Sequence, residues 1–199
     1  MGLYTVKPKF QKLLSPIKDY FVRHRVSPTV INTCGLLLSF VAAGALFFSY
    51  KNSWLLLSIP ILAFVRTALN ALDGLVSREL RIASRFGEVL NEFFDRISDA
   101  AIFWGLALIP FVNPILGGTT VIIILLNSYL SIVSKAAGGT RQYGGFMGKA
   151  DRMLYLSVAA LIIFFLGNVI WWNYFLVFIL AGTIVTLLQR FMNIKKELS

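Results

Sequence analysis

The sequence predicts an all-α polytopic membrane protein, six transmembrane helices preceded by an interfacial amphipathic helix. Three observations predict it. The 199 residues are 57% hydrophobic with a mean hydropathy of +0.75, well above the ordinary globular mix. Their apolar runs lack period-2 alternation, so in hydrocarbon the backbone must satisfy itself within helices rather than barrel strands. The 19 Lys and Arg residues, which give a net charge of +10, fall at the ends of those runs, where they mark orientation rather than a nucleic-acid surface. The whole chain, 1–199, is expected to be a single membrane domain, with 1–26 as the interfacial helix and entry and 27–199 as the six-helix bundle.

At the amino terminus, Phe10, Leu13, Leu14, Ile17 and Phe21 recur at helical spacing between Pro8 and Val22, with Lys9, Lys12, Lys18 and Arg23 between them. This pattern suits a helix lying on anionic lipid. No removable signal peptide is visible before it, so the first spanning helix is expected to act as the insertion signal. Apolar runs follow at about 29–49, 53–76, 87–112, 114–136, 150–168 and 170–192, each near the ~20 residues that cross a bilayer. The connectors holding Arg78, Arg81 and Arg85, then Lys135, Arg141 and Lys149, are basic, whereas the others are short with only Lys51 charged. That bias puts both termini and both basic loops in the cytoplasm, with Trp54, Trp171 and Trp172 at the opposite interface. The lone Cys34 reads as a small buried hydrophobe, and His24 as an interfacial residue.

Runs two and three are broken by ionisable groups, and an Arg or Asp costs about 2.5–3.5 kcal/mol at a helix centre in lipid and so faces a partner or a wet cavity. Arg66, Asn70, Asp73 and Ser77 share one face of the second helix, and Gly87, Asn91, Asp95 and Asp99 one face of the third, flanked by Glu88 and Glu92. Helices joined by a ten-residue loop are expected to be antiparallel neighbours, with Asp73 and Asp95 at similar depth. One reading is purely structural, with Arg66 or Arg96 salt-bridged to a carboxylate. The other is a divalent-cation site: oxygen ligands of this kind suit Mg²⁺ or Mn²⁺, and one His with one Cys is too little for zinc.

The stretch from Asn70 to Asp95 resembles the signature of the CDP-alcohol phosphotransferases, D-x2-D-G-x2-A-R-x8-G-x3-D-x3-D. Every gap is kept. Asp73, Gly74, Arg78, Gly87 and Asp95 match, while Asn70, Ser77 and Asn91 stand at the pattern's D, A and D. Ser27, Pro28 and Gly35 also look like the family's entry to its first helix. The resemblance implies a bacterial inner-membrane phospholipid-synthesising transferase. It moves a phosphatidyl group from CDP-diacylglycerol to a small alcohol and releases CMP, with the active site cytoplasmic, and as a homodimer in several members.

It also implies roles. Asp73 and Asp95 ligate metal, with Asn70, Asn91 and Asp99 as further candidate ligands. Asp73, Gly74, Ser77, Arg78 and Gly87 bind the nucleotide and its phosphates, and Asp95 is the catalytic base on the acceptor hydroxyl. Two cations would bridge the diphosphate and neutralise the leaving group. The two Asn residues remove two negative charges from that cage, which Asp99, or Glu88 and Glu92, are placed to restore.

The glycine-rich basic segment from Lys135 to Arg152 offers Arg141, Lys149 and Arg152 as acceptor-binding cations. They favour a phosphorylated acceptor, glycerol 3-phosphate first and inositol phosphate next. Two rivals remain. A pseudoenzyme that binds CDP-lipid would bind nucleotide without releasing CMP. A transporter or channel would ignore nucleotide altogether, and its polar residues are normally spread along the chain rather than confined to one hairpin.

Overall fold

The computed structural model describes residues 7–199; the first six residues of the expected 1–26 entry segment lie outside the described residues. Eight α-helices and no strand occur among the described residues: α1 (Lys7–Leu13), α2 (Ser15–Arg23), α3 (Pro28–Phe48), α4 (Ser58–Glu79), α5 (Arg85–Ala107), α6 (Pro114–Ala136), α7 (Lys149–Leu166) and α8 (Trp171–Leu198). A 3₁₀ turn, Ser53–Leu57, leads into α4. Four segments are long and apolar enough to cross a membrane: Pro28–Phe48, Ser53–Glu79, Pro114–Ala136 and Trp171–Leu198. The carboxylates of α5 and the charged first turn of α7 keep those two helices below that measure.

The single amphipathic helix expected from Pro8 to Val22 is two short helices meeting at Leu14. Leu14 is 3% exposed and packs with Phe10, Phe21 and Val22 near α3 and α4. Leu13 and Ile17 point outward instead. Pro16 at the start of α2 explains the break, because a proline suits the first turn of a new helix and cannot continue an old one.

Helix ends follow from local chemistry. Ser84 accepts the Gly87 N–H at 2.9 Å to start α5, and Asn113 accepts from Ile115 and Leu116 to start α6. The Asp151 carboxylate accepts the Gly148 N–H to start α7, and Gly167 at φ +65° closes it with a left-handed cap. Helices α4 and α5 each run further than the apolar pattern suggests, so their connector is only residues 80–84.

The expected antiparallel neighbours α4 and α5 meet through side chains rather than by close backbone packing. Both lean on α3, which lies between them. Small residues permit this wedge: a Cβ on Gly105 of α5 would sit 2.5 Å from the Ala43 carbonyl oxygen of α3, and one on Gly35 of α3 would touch Leu69 of α4. The polar faces of α4 and α5 therefore meet through side chains across a gap, and that gap is where the site forms. At the far end, Trp172, Phe103, Leu106, Ile109 and Leu176 build the main apolar core. Trp172 is fully buried there, so only Trp54 and Trp171 of the three expected belt residues are exposed. Cys34 is exposed too, because the buried stripe of α3 passes through Ile31, Asn32, Gly35 and Ser39.

Candidate active site

The antiparallel register of α4 and α5 pairs their polar residues in layers. Asn70 donates from Nδ2 to Asp95 Oδ1 at 2.6 Å, with Asn91 Oδ1 at 3.5 Å. One turn deeper, Arg66 donates to Asp99 Oδ1 at 2.9 Å. One turn toward the connector, Asp73 accepts the Gly74 N–H at 2.6 Å and lies within electrostatic reach of Asp95 and Lys149. The two acidic stripes thus converge.

Helices α1, α6, α7 and α8 and the 137–148 segment complete the walls. Lys149, the first residue of α7, forms an ion pair with Asp95. Arg152, one turn on, donates to Asp99 Oδ2 at 2.8 Å and to the Met147 carbonyl at 3.3 Å. Arg141 pairs with Glu92 and covers the Tyr143 ring at 4.5 Å, while Arg96 bonds Glu92 at 2.5 Å and Ser128 at 2.9 Å. These groups open on a cavity of about 610 Å³. Its polar end is lined by Asn70, Asp95, Arg141, Lys149 and Arg152, and its apolar end by Phe10, Pro60, Ala63, Phe64 and Leu154.

The sequence-predicted residues divide accordingly. Asn70, Asp95, Arg141, Lys149 and Arg152 share the cavity wall. Asp73, Gly74, Ser77, Arg78, Gly87 and Asn91 sit on the turns of α4 and α5 that lead from it to the connector. Arg78 is exposed, and a Cβ on Gly74 would meet nothing but its guanidinium within 4 Å. Gly87 has a local duty as well, since a Cβ there would lie 3.1 Å from the capping Ser84 hydroxyl. Asp99 does not join the candidate ligands. It is fully buried and each of its oxygens is held by an arginine, so it cannot restore charge to the metal face. Glu88 and Glu92 cannot either, being paired with Lys135 and with Arg96 and Arg141.

Sequence reasoning missed Arg190. This arginine of α8 is 8% exposed and reaches the cavity, where its guanidinium is held by the carbonyls of Asn127, Gly144 and Tyr143. Among the described residues it has no carboxylate in ion-pair contact, so its positive charge faces the cavity uncancelled. The signal was present as a charge inside the last apolar run, which marks function by default.

The donor set can be tested against a metal. No group of three or more His, Cys, Asp or Glu side chains converges among the described residues. Asp73 and Asp95 remain, with amide oxygens at Asn70 and Asn91. Magnesium is commonly held by one or two carboxylates, waters and substrate phosphates, so these residues fit one such ion.

Residues 25–179 match the family model for CDP-alcohol phosphatidyltransferase. The chain is 34% identical over 173 residues to the inner membrane protein YnbA of Escherichia coli, covering 87% of this chain and 86% of that one. It is 29% identical to archaetidylinositol phosphate synthase of Pyrococcus horikoshii over 98% of each chain. The fold matches that of Mycobacterium tuberculosis phosphatidylinositol phosphate synthase in two crystal structures. One has CDP-DAG bound (TM-score 0.76, 24% identity, 94% and 95% coverage), and the other is in complex with manganese and citrate (0.74, 25%, 92% and 88%). The chain is therefore an integral membrane protein that belongs to the CDP-alcohol phosphatidyltransferase family, whose members use Mg²⁺ or Mn²⁺.

Proposed function

We propose that the chain transfers a phosphatidyl group from CDP-diacylglycerol to a phosphorylated polyol, releasing CMP. The observation that carries this reading is the cavity itself. It joins the Asn70–Asp95 pair to a wall of cations at one end and an apolar slot at the other, which suits a lipid donor and an anionic acceptor at once. The uncancelled charge of Arg190, with Arg141 and Lys149 lining the same cavity, favours an acceptor bearing phosphate. The inositol phosphate synthases among the relatives move our preference from glycerol 3-phosphate to an inositol phosphate.

In this reading Arg78 and the Gly74 backbone meet the diphosphate, and Asp73 and Asp95 with the Asn70 and Asn91 amide oxygens hold a divalent ion. When bound, that ion would neutralise charge on the diphosphate and the departing CMP. The Asp95 carboxylate accepts the proton of the acceptor hydroxyl, whose oxygen bonds to the lipid-side phosphorus as the bond to CMP breaks. Lys149, paired with Asp95, orients that carboxylate for this.

We also read α5 and α7 as spanning helices. Their outward faces are apolar, with Phe93, Trp104, Val158, Ile162 and Phe165 exposed, while Asp95, Asp99, Asp151 and Arg152 are buried inside, as intramembrane charges must be. Six crossings in one membrane domain then follow α1 and α2, which lie at the interface. Both termini, the 80–84 and 137–148 connectors and the cavity mouth face the cytoplasm, where the cations concentrate.

Purified protein given CDP-diacylglycerol, Mg²⁺ or Mn²⁺ and a panel of alcohols should release CMP fastest with inositol phosphate. Release with serine or glycerol 3-phosphate alone would refute the acceptor assignment. A second reading, a CDP-lipid binder without turnover, draws on the Asp95–Lys149 ion pair, which competes for the oxygens of the base. It predicts nucleotide-dependent thermal stabilisation with no CMP from any alcohol.

A further inference from the structure

We propose that this chain binds one divalent ion where its family's full motif is built for two, and that the Lys149 ammonium is the resident second cation. The inference rests on the phosphatidyltransferase reading and concerns how the site is charged. Four positions could supply ligands, and two of them, Asn70 and Asn91, are neutral. Replacing two aspartates by amides withdraws two negative charges, the charge of one divalent ion. A cage of net charge −2, part of it already met by Lys149, holds one such ion and leaves a second without compensation.

Geometry points the same way. The Asn70 Nδ2 to Asp95 Oδ1 distance of 2.6 Å is a direct hydrogen bond, which an ionised aspartate at position 70 could not donate. The Asn70 amide therefore spends its donor on the base and keeps a single oxygen for a ligand. The same Asp95 oxygen is paired with Lys149, which also acts electrostatically on Asp73. A cation tethered to α7 thus contacts one of the two carboxylates and is felt by the other, and it cannot diffuse away or be chelated. The Asp151 cap on Gly148 fixes the backbone just before it.

The test is a Mn²⁺ titration followed by electron paramagnetic resonance, on the full chain in lipid nanodiscs, with and without CDP-diacylglycerol. One Mn²⁺ per chain is expected in both conditions. Lys149→Met should tighten Mn²⁺ binding about tenfold by freeing Asp95, and Lys149→Arg should leave the count at one. The triple variant Asn70→Asp, Asn91→Asp, Lys149→Met should bind two ions. Monodispersity in size-exclusion chromatography shows that each variant is folded, and Lys149→Arg keeps the test usable should the triple variant aggregate. Two ions on the unaltered chain, none at all, or an affinity unchanged in Lys149→Met would each overturn the proposal. Failure of the functional reading looks different: one ion bound, but no CMP from any acceptor.

Discussion

Two layers of the same helix pair, one turn apart, use similar residues to opposite ends. In the deeper layer Arg66, Asp99 and Arg152 form a closed triad, with both carboxylate oxygens occupied and every member nearly sealed from solvent. In the outer layer Asn70, Asp95 and Lys149 line a cavity, and Asp95 divides its contacts between an amide and a single cation. The first arrangement has more cations than acids and no room; the second has room and one carboxylate within reach of substrate. A buried charge is thus structural where its partners saturate it, and available for chemistry where they do not.

Breaking the deep layer should give the largest effect on stability. Asp99→Ala leaves two buried guanidinium groups uncompensated and should cost about 3–5 kcal/mol, read as a fall in the unfolding midpoint in detergent. The triple change Arg66→Met, Asp99→Leu, Arg152→Met should recover most of that loss, because an apolar set of similar volume needs no pairing. Failure to recover would mean that Arg152 also serves the cavity it lines. In the outer layer the pattern should invert. Asp95→Asn should leave the unfolding midpoint nearly unchanged and lower CMP release by about 10²–10⁴-fold, the usual reach of a positioned base. An active Asp95→Asn protein would remove the base assignment.

Arg190 sharpens the contrast, because it is buried like the deep layer yet is held by carbonyls rather than carboxylates. Arg190→Met should raise KM for a phosphorylated acceptor about tenfold, the worth of a charge-assisted hydrogen bond, with KM for the lipid donor unchanged. Equal rises in both would recast Arg190 as a prop for the 137–148 segment. That segment has its own constraint at Gly145, whose φ is +135° and where a Cβ would lie 2.2 Å from Thr186 Cγ2. Gly145→Ala should therefore cost about 1–3 kcal/mol, again measured as an unfolding midpoint, and reduce activity by displacing Arg141.

The outer layer was legible in the sequence because three-and-four spacing puts Asn70, Asp73, Asn91 and Asp95 on facing stripes whatever the tertiary packing. The deep layer was legible only as an alternative. Nothing in the spacing of Asp99 distinguishes a ligand from an ion-pair partner; the distinction comes from Arg152 on α7, 53 residues further along the chain and adjacent only once the bundle closes. The wedge of α3 against α4 and α5 was hidden for the same reason, since a short connector makes two helices neighbours without fixing how closely their backbones approach. Gly105 against Ala43 is the close approach that allows it. Helices α5 and α7 illustrate a further limit, because the charges that make the site also weaken the apolar signal by which a spanning helix is known.

The smallest effect belongs to a third kind of ion pair, at the surface with half-exposed carboxylates. Lys18 of α2 contacts Asp19 at 3.0 Å and Glu79, at the end of α4, at 3.2 Å, and these contacts, Asp19 first, raise its pKa above the ordinary lysine value. A raised pKa means that the folded state holds the proton more tightly, so any stabilisation is complete below pH 10.5 and fades as pH climbs through the folded value. Water and salt screen such a contact. Lys18→Gln should accordingly leave the unfolding midpoint at pH 7 within error and remain insensitive to added salt. A clear loss of stability would mean that α2 is tied to α4 by this contact rather than by the burial of Leu14, and the same charge chemistry would then count at the membrane edge as it does in the sealed triad.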